Sequence, residues 1–340
     1  RTCLVGSEMC IRDSLITDEI KSLLKHPGAL EILDFAEEKI KLVSVYAKKS
    51  GILVGRQIKE LNNDLPDYET RIPALYRDEN LIIPTGDTTI LEGDEVFFIA
   101  DEKHIEDVTQ ELQKLEDKYK NIYVVGAGNI GMSLASKINN DFNLKVIEKD
   151  SEQSKVASDL LDDVLILNAD AADKDFLANE GIADCDVYVA VTQDDETNVL
   201  CSLMAKKLGA KKTITIINND AYFDLIGKNE LDIIISPVQI TVSYILKYVR
   251  KGSVSNVHKV KKGKAEVLEI TIDNFAEGLK GKKISELEMG GSIEIPCLQR
   301  GESVVIAHKE TELLEGDHLI IFYKDKNCLL YTSPSPRDKS

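Results

Sequence analysis

The sequence predicts an α/β protein: a doubly wound parallel sheet with helices on both faces, flanked by two copies of a small α+β module. Three observations predict it. The segment Ile72–Ile99 returns without a gap as Ile295–Phe322, at an offset of 223 residues (295 − 72), with 11 of 28 positions identical. Between the copies, short apolar runs alternate with helical patterns, as in a parallel sheet covered on both sides. Within that stretch, Gly126-Ala-Gly-Asn-Ile-Gly131 stands where a strand gives way to a helix.

The two ends are read separately. Leu4–Asp13 and Cys328–Asp338 can be encoded by DNA strings of which the first is the reverse complement of part of the second. Residues 1–14 and 328–340 are therefore expected to be adapter-like scars and are set aside. Of the six cysteines, Cys185, Cys201 and Cys297 then remain, scattered, with no Cys-x-x-Cys or Cys/His ligand spacing. This points to a reducing compartment without a disulfide frame or a zinc site. Each is most simply a small buried hydrophobe.

Composition is that of an ordinary globular chain, 43% hydrophobic and 30% charged. No apolar run reaches the roughly 18 residues of a spanning helix. A net charge of −17 argues against a broad nucleic-acid surface. The basic run Lys259–Lys264 reads as a solvated hairpin edge that blocks strand addition.

Along the chain, Leu15–Leu33 reads as a helix broken at His26-Pro-Gly28. It precedes the first β module as residues 240–250 precede the second. Residues 15–28 are thus expected to be the remnant of a lost first nucleotide domain. Residues 29–118 are the first module with its linker helix, which Ile105, Val108, Leu112 and Leu115 place at Lys103–Tyr119. In both modules Leu-Glu-Gly-Asp, at 91–94 and 314–317, signals a turn before a buried strand.

Residues 119–237 form the nucleotide domain. Expected strands are Asn121–Gly126, Leu144–Glu148, Val164–Leu167, Val187–Thr192, Thr213–Ile217 and Ile233–Ile235. The helices are Ile130–Ile138, Ser151–Leu161 with Ser151 as N-cap, Asp173–Asn179 and Glu196–Leu208. Pro237 closes the domain. Residues 238–327 are a second linker helix, Ile240–Val249, and the second module.

The glycine motif fits a Rossmann-like dinucleotide site. Gly126 allows the tight bend, Gly128 the close approach of a pyrophosphate, and Gly131 the packing of helix on sheet. Asn129 and Ile130 open the helix, whose free N–H groups and positive dipole end would hold phosphate. Glu148, 20 residues beyond Gly128 (148 − 128) and at the end of the next strand, is placed to accept ribose hydroxyls, favouring NAD over NADP. Asp170 stands at the carboxyl edge of the sheet, where it can contact adenine or cap the next helix. Thr192 ends the fourth strand over the same crevice, its hydroxyl free to meet phosphate or ribose or to make a strand-end hydrogen bond. The run Asp194-Asp-Glu196 reads as helix N-terminal charge, not as a metal site.

Hydride transfer requires an acid–base residue beside the cofactor. The five histidines, His26, His104, His258, His308 and His318, all lie outside the nucleotide domain, and Tyr244 with Lys247 has the wrong spacing for a Tyr-x-x-x-Lys pair. The expected chain is a regulator, not an enzyme. An NAD-dependent oxidoreductase with an unrecognised catalytic residue, and an interaction scaffold with a vestigial site, stay open as alternatives.

The stretches Tyr123–Gly131, Val146–Asp150, Asn168–Asp173 and Ala190–Asn198 resemble an RCK (KTN) domain, and the second β module resembles a TrkA-C domain. The order of parts resembles the TrkA family, the cytosolic NAD-binding subunits of Trk potassium-uptake systems. The likeness covers Leu15–Asn327. It implies dinucleotide on Gly126–Gly131, Glu148, Asp170 and Thr192. It also implies NAD(H), with ATP or ADP as further candidates, biasing a ring of RCK domains between conformations. A membrane potassium-translocating subunit is the implied partner, with a homo-oligomer that sits peripherally on the cytoplasmic face of the membrane. One departure stands out: the family's Gly-Asp-Ala-Thr-Asp is here Ala169-Asp-Ala-Ala-Asp173.

Overall fold

The computed structural model describes residues 2–36, 39–60, 70–78, 80–114, 118–219, 221–222, 226, 230–249, 254–260, 264–273, 277–287 and 293–324. The expected scar at 328–340 and the core of the basic run, 261–263, lie outside them. The chain divides into two compact units, 1–30 with 116–242, and 31–115 with 243–340. Among the described residues no helix is long and apolar enough to cross a membrane.

Helix α1 runs Thr2–Lys25, through the boundary drawn at residue 14. It is followed by strand β1, Ala29–Phe35, where the sequence suggested more helix. The correction has a local cause. Gly28 takes φ +93° and turns the chain. The buried residues of β1, Ala29, Ile32 and Phe35, happen to fall three apart, which mimics a helical stripe.

The first module continues with β2 (Ile40–Tyr46), β3 (Thr70–Arg77), β4 (Asn80–Ile82) and β5 (Glu95–Asp101), then α2 (Ile105–Leu112). Helix α2 is shorter than the expected 103–119, because Gln113 is already extended.

The parallel domain holds β6 (Asn121–Val125), α3 (Asn129–Ile138), β7 (Asn143–Glu148), α4 (Ser151–Leu160), β8 (Leu165–Asn168) and α5 (Lys174–Asn179). It continues with β9 (Val187–Ala190), α6 (Asp195–Lys207), β10 (Lys212–Ile216) and β11 (Ile233–Ile235). Helix α7 is Pro237–Val249. Pro237 is the first residue of this helix, where its missing N–H is harmless. The second module is β12 (Val254–Val260), β13 (Ala265–Thr271), β14 (Ile293–Arg300), β15 (Ser303–Ile306) and β16 (His318–Tyr323).

The first sheet has the order β1-β2-β5-β3-β4 and the last β12-β13-β16-β14-β15, the same topology twice. The identical residues of the repeat explain why. Ile72-Pro73 and Ile295-Pro296 each fall at a register shift against the neighbouring strand, where a proline costs no ladder bond. Gly93 and Gly316 take φ +86° and +85° in the two turns. The Arg77 guanidinium grips Asp94 through two bonds of 2.7 and 2.6 Å. Arg300 grips Asp317 through two of 2.8 Å. Each arginine also donates to a carbonyl of the turn, Thr89 or Glu312. One core runs through both modules, from Phe35, Ile40, Phe97 and Ile99 to Val260, Val267, Ile320 and Phe322.

In the other unit all six strands are parallel, in the order β11-β10-β9-β6-β7-β8. Strand order reverses between β6 and β9, so a crevice opens beyond their carboxyl ends. Val124, Val146 and Val189 are fully buried, as a sheet covered on both faces requires. Cys185 and Cys201 lie in this core, where burial pushes their thiols up to about 12 and about 11. They act as small apolar residues. Helix α1 packs along α3, with Lys137 donating to Thr17 at 2.8 Å.

Candidate functional site

The glycine motif sits at the strand reversal. Gly126 takes φ +98°, and a Cβ there would lie 3.1 Å from the Thr192 side chain, so β6 and β9 end in contact. A Cβ on Gly131 would lie 1.9 Å from the Gly126 carbonyl oxygen, which fixes α3 tightly against the turn. Gly128 differs. It has φ −72°, which any residue adopts, and its Cβ would meet nothing within 4 Å. Neither its backbone nor its neighbours call for glycine. Open space beside a helix N-terminus does, if a ligand fills it.

That N-terminus has no side-chain cap. The N–H groups of Asn129, Ile130 and Gly131, in the first turn of α3, lack intrahelical acceptors by position. By contrast α4, α5 and α6 are capped by Asp150, Asp173 and Asp194. Asp150 replaces the expected Ser151, since the helix starts one residue earlier than a Ser151 cap would allow.

Glu148 lies beside the turn. Its Oε2 accepts the Ala127 N–H at 2.7 Å and its Oε1 the Asp150 N–H at 2.8 Å. A carboxylate has about four acceptor directions, so sites for ribose hydroxyls remain. Gln153 from α4 donates to the Ala127 carbonyl at 2.6 Å and holds the turn from its other side. Asn168 donates to the carbonyls of Glu148 and Lys149.

Asp170 accepts from Lys149 Nζ at 2.8 Å and from the Ala172 N–H at 2.9 Å. The Lys149 bond and that N–H hold its carboxyl below the usual range. Asp173, not Asp170, caps α5. Thr192 makes the strand-end bond that the sequence left open: its N–H and hydroxyl both donate to Asn198 Oδ1, at 2.9 and 2.7 Å. The hydroxyl keeps acceptor capacity only.

Asn198 is the residue that sequence reasoning missed. It is fully buried and makes four bonds, also donating to the carbonyls of Thr192 and Ile216 at 3.0 and 3.1 Å. Its neighbour Asp195, also buried, accepts the N–H groups of Asn218 and Asn219. The signal was a polar residue at core spacing: Asp195, Asn198, Ser202 and Ala205 share the buried face of α6. Asp194 accepts the Thr197 N–H at 2.6 Å, which is the helix-start role expected of the acidic run. Among the described residues no cluster of His, Cys, Asp and Glu could hold a metal ion.

Comparison with known proteins adds the following. Residues 122–237 match the TrkA-N domain model and residues 42–113 the TrkA-C domain model. The chain is 40% identical over 316 residues to the Trk system potassium uptake protein TrkA of Halomonas elongata, covering 92% of this chain and 69% of that protein. Its likeness to the Vibrio alginolyticus protein of the same name is 38% over 316 residues, with the same coverage of each. Among solved structures, the GsuK channel bound to NAD aligns with a TM-score of 0.51 at 15% identity. The alignment covers 92% of this chain and 56% of that one, a likeness of fold alone.

Proposed function

This chain belongs to the TrkA family, and from that membership we propose that it is the nucleotide-responsive regulatory subunit of a membrane potassium-uptake system. The ligand is NAD(H), with ATP or ADP as competitors for the same crevice. The site consists of Gly126, Gly128, Asn129, Ile130, Gly131, Glu148, Asp170 and Thr192. The observation that carries the reading is Gly128: a glycine with ordinary φ, facing open space, at an uncapped helix N-terminus. The N–H groups of the first turn of α3 hold a diphosphate, and the dipole of that helix favours its charge. Glu148 accepts from the adjacent ribose while fixing the turn. Thr192 and Asn198 fix the far wall.

In this role bound nucleotide supplies differential affinity for two conformations, not hydride chemistry. The groups placed around the crevice are engaged with the protein itself: Glu148 with the glycine turn, Asp170 with Lys149, and Thr192 with Asn198. The subunit acts on the cytoplasmic face, against a potassium-translocating partner, as part of a homo-oligomer.

Calorimetric titration of the wild-type chain and of Gly128→Asp with NADH and with ATP tests the site. Binding by the wild type and its loss in the folded variant is expected. A wild type that binds neither nucleotide would sink the sensor reading and leave a vestigial site. Turnover of NAD(H) with a panel of alcohols, hydroxy acids and amino acids, abolished by a crevice mutation, would replace the regulator with an oxidoreductase.

A further inference from the structure

Two positions related by the 223-residue repeat meet one another between the two β modules. Strands β1 and β12 are related by 225 residues (254 − 29), and Phe35 and His258, two residues off that register, meet edge to face with ring centroids 5.1 Å apart. Arg71 and Glu294 are equivalent (294 − 71), each preceding the repeated Ile-Pro, and Arg71 Nη2 donates to Glu294 Oε1 at 2.5 Å. A residue can touch its own repeat-mate only near an axis relating the two copies. The shared core around Phe97 and Phe322 shows that the copies pack face to face there.

The contacts at this axis are not symmetric in kind. A cation faces an anion where two identical modules would set like against like. The Phe97–Phe322 pair, with ring centroids 5.9 Å apart, has as its repeat-mates Ile320 and Ile99. Tyr76 takes a hydrogen bond from Lys264 Nζ at 2.9 Å, whereas the position that answers to Tyr76 is Gln299, and Lys39, which answers to Lys264 in the strand register, pairs with Glu302. Arg71 donates further to the Ala307 carbonyl.

We propose that these diverged axis positions make each β module specific for the other module of the repeat and reject pairing with its own copy. A first module facing another first module would oppose two Arg71 guanidinium groups. A second module facing its own copy would oppose two Glu294 carboxylates. Both residues are half-buried, with side chains 32% and 22% exposed, so solvent screens either repulsion only in part. The surface thus encodes its partner, which is the unlike module of the same repeat. The inference stands apart from the nucleotide site and does not depend on it.

Charge exchange in the full chain tests this. Arg71→Glu puts two carboxylates on the axis, Glu294→Arg two guanidinium groups, and the double variant R71E/E294R restores an unlike pair in reverse. Urea unfolding followed by circular dichroism should show lower midpoints for both single variants and recovery in the double. Differently tagged R71E and E294R chains, mixed during refolding, offer each other complementary modules. Pull-down should recover mixed pairs roughly tenfold above a wild-type mixture. Single variants that fail to fold while the double variant folds would also support the proposal. Wild-type midpoints in both singles, a double variant no better than its parents, or no enrichment of mixed pairs would overturn it.

Discussion

The Ala127 N–H donates to the Glu148 carboxylate at 2.7 Å, so the acid at the end of β7 holds the glycine turn at the end of β6. Glu148 therefore shapes the phosphate-binding turn as well as offering an acceptor for ribose. Glu148→Gln keeps one acceptor oxygen but removes the charge, and sets an amide NH2, which cannot accept, against either the Ala127 or the Asp150 N–H. We expect NADH affinity to fall by at least about tenfold, equivalent to roughly 1.4 kcal/mol. Stability should fall by about 1–2 kcal/mol. Titration and urea unfolding of one preparation read both. Unchanged affinity would remove Glu148 from the site.

The three motif glycines should separate by experiment. Gly131→Ala drives a methyl against the Gly126 carbonyl, 1.9 Å away, and should destabilise by about 2 kcal/mol or more. Gly128→Ala meets no protein atom and should lower stability by no more than about 1 kcal/mol, the usual loss when alanine replaces glycine at a helix start. Its nucleotide affinity should nonetheless drop. The combination of near-normal unfolding with weakened NADH binding is expected of Gly128→Ala alone. Equal unfolding losses at both positions would mean that Gly128 serves packing and not a ligand.

Asn198 anchors the opposite wall. Its side chain accepts two bonds from Thr192 and donates to the carbonyls of Thr192 and Ile216. Asn198→Ala leaves these groups unpaired in a buried place, and we expect a loss of about 2–4 kcal/mol. Asn198→Asp keeps the acceptor for Thr192 but sets a carboxylate against two carbonyls, so it should fare little better than alanine. A loss below roughly 0.5 kcal/mol in Asn198→Ala, measured by urea unfolding, would show that water replaces the network.

Much of this arrangement was legible before any coordinates. The glycine motif, the alternation of strand and helix and the repeat each report a period or a spacing, and these are set by local geometry. The repeat carried more than similarity: its identical Ile-Pro, arginine and Gly-Asp positions mark a bulge and an arginine-clasped turn in both copies. What stayed hidden depends on groups far apart in the chain. Asp170 gave no sign that Lys149 would pair with it and that Asp173 would take the cap. Strand β1 was hidden because its buried residues recur every third position, the period of the wrong element. Arg71 and Glu294 differ in charge between the copies, and only the fold sets the two face to face.

Acid sensitivity should trace in part to Asp186. Burial raises its pKa, but the Lys211 ammonium and the N–H groups of Asn121 and Lys120 outweigh that and hold it below the usual value. The three donors lie 2.7–2.9 Å away and tie the start of β6 to the approach to β10. A carboxyl depressed on folding stabilises above its unfolded pKa, near 3.9, and loses that contribution as pH falls through the lower folded value. Asp186→Asn cannot lose a proton, so it should be less stable than wild type at pH 7, by about 1–2 kcal/mol. The gap should hold down to about pH 4 and close below it, as the wild-type carboxyl takes up its proton. Urea midpoints of both chains from pH 7 to pH 2.5 measure this directly. A gap that stays constant across the whole range would mean that shape, and not the charge on Asp186, supplies the stability.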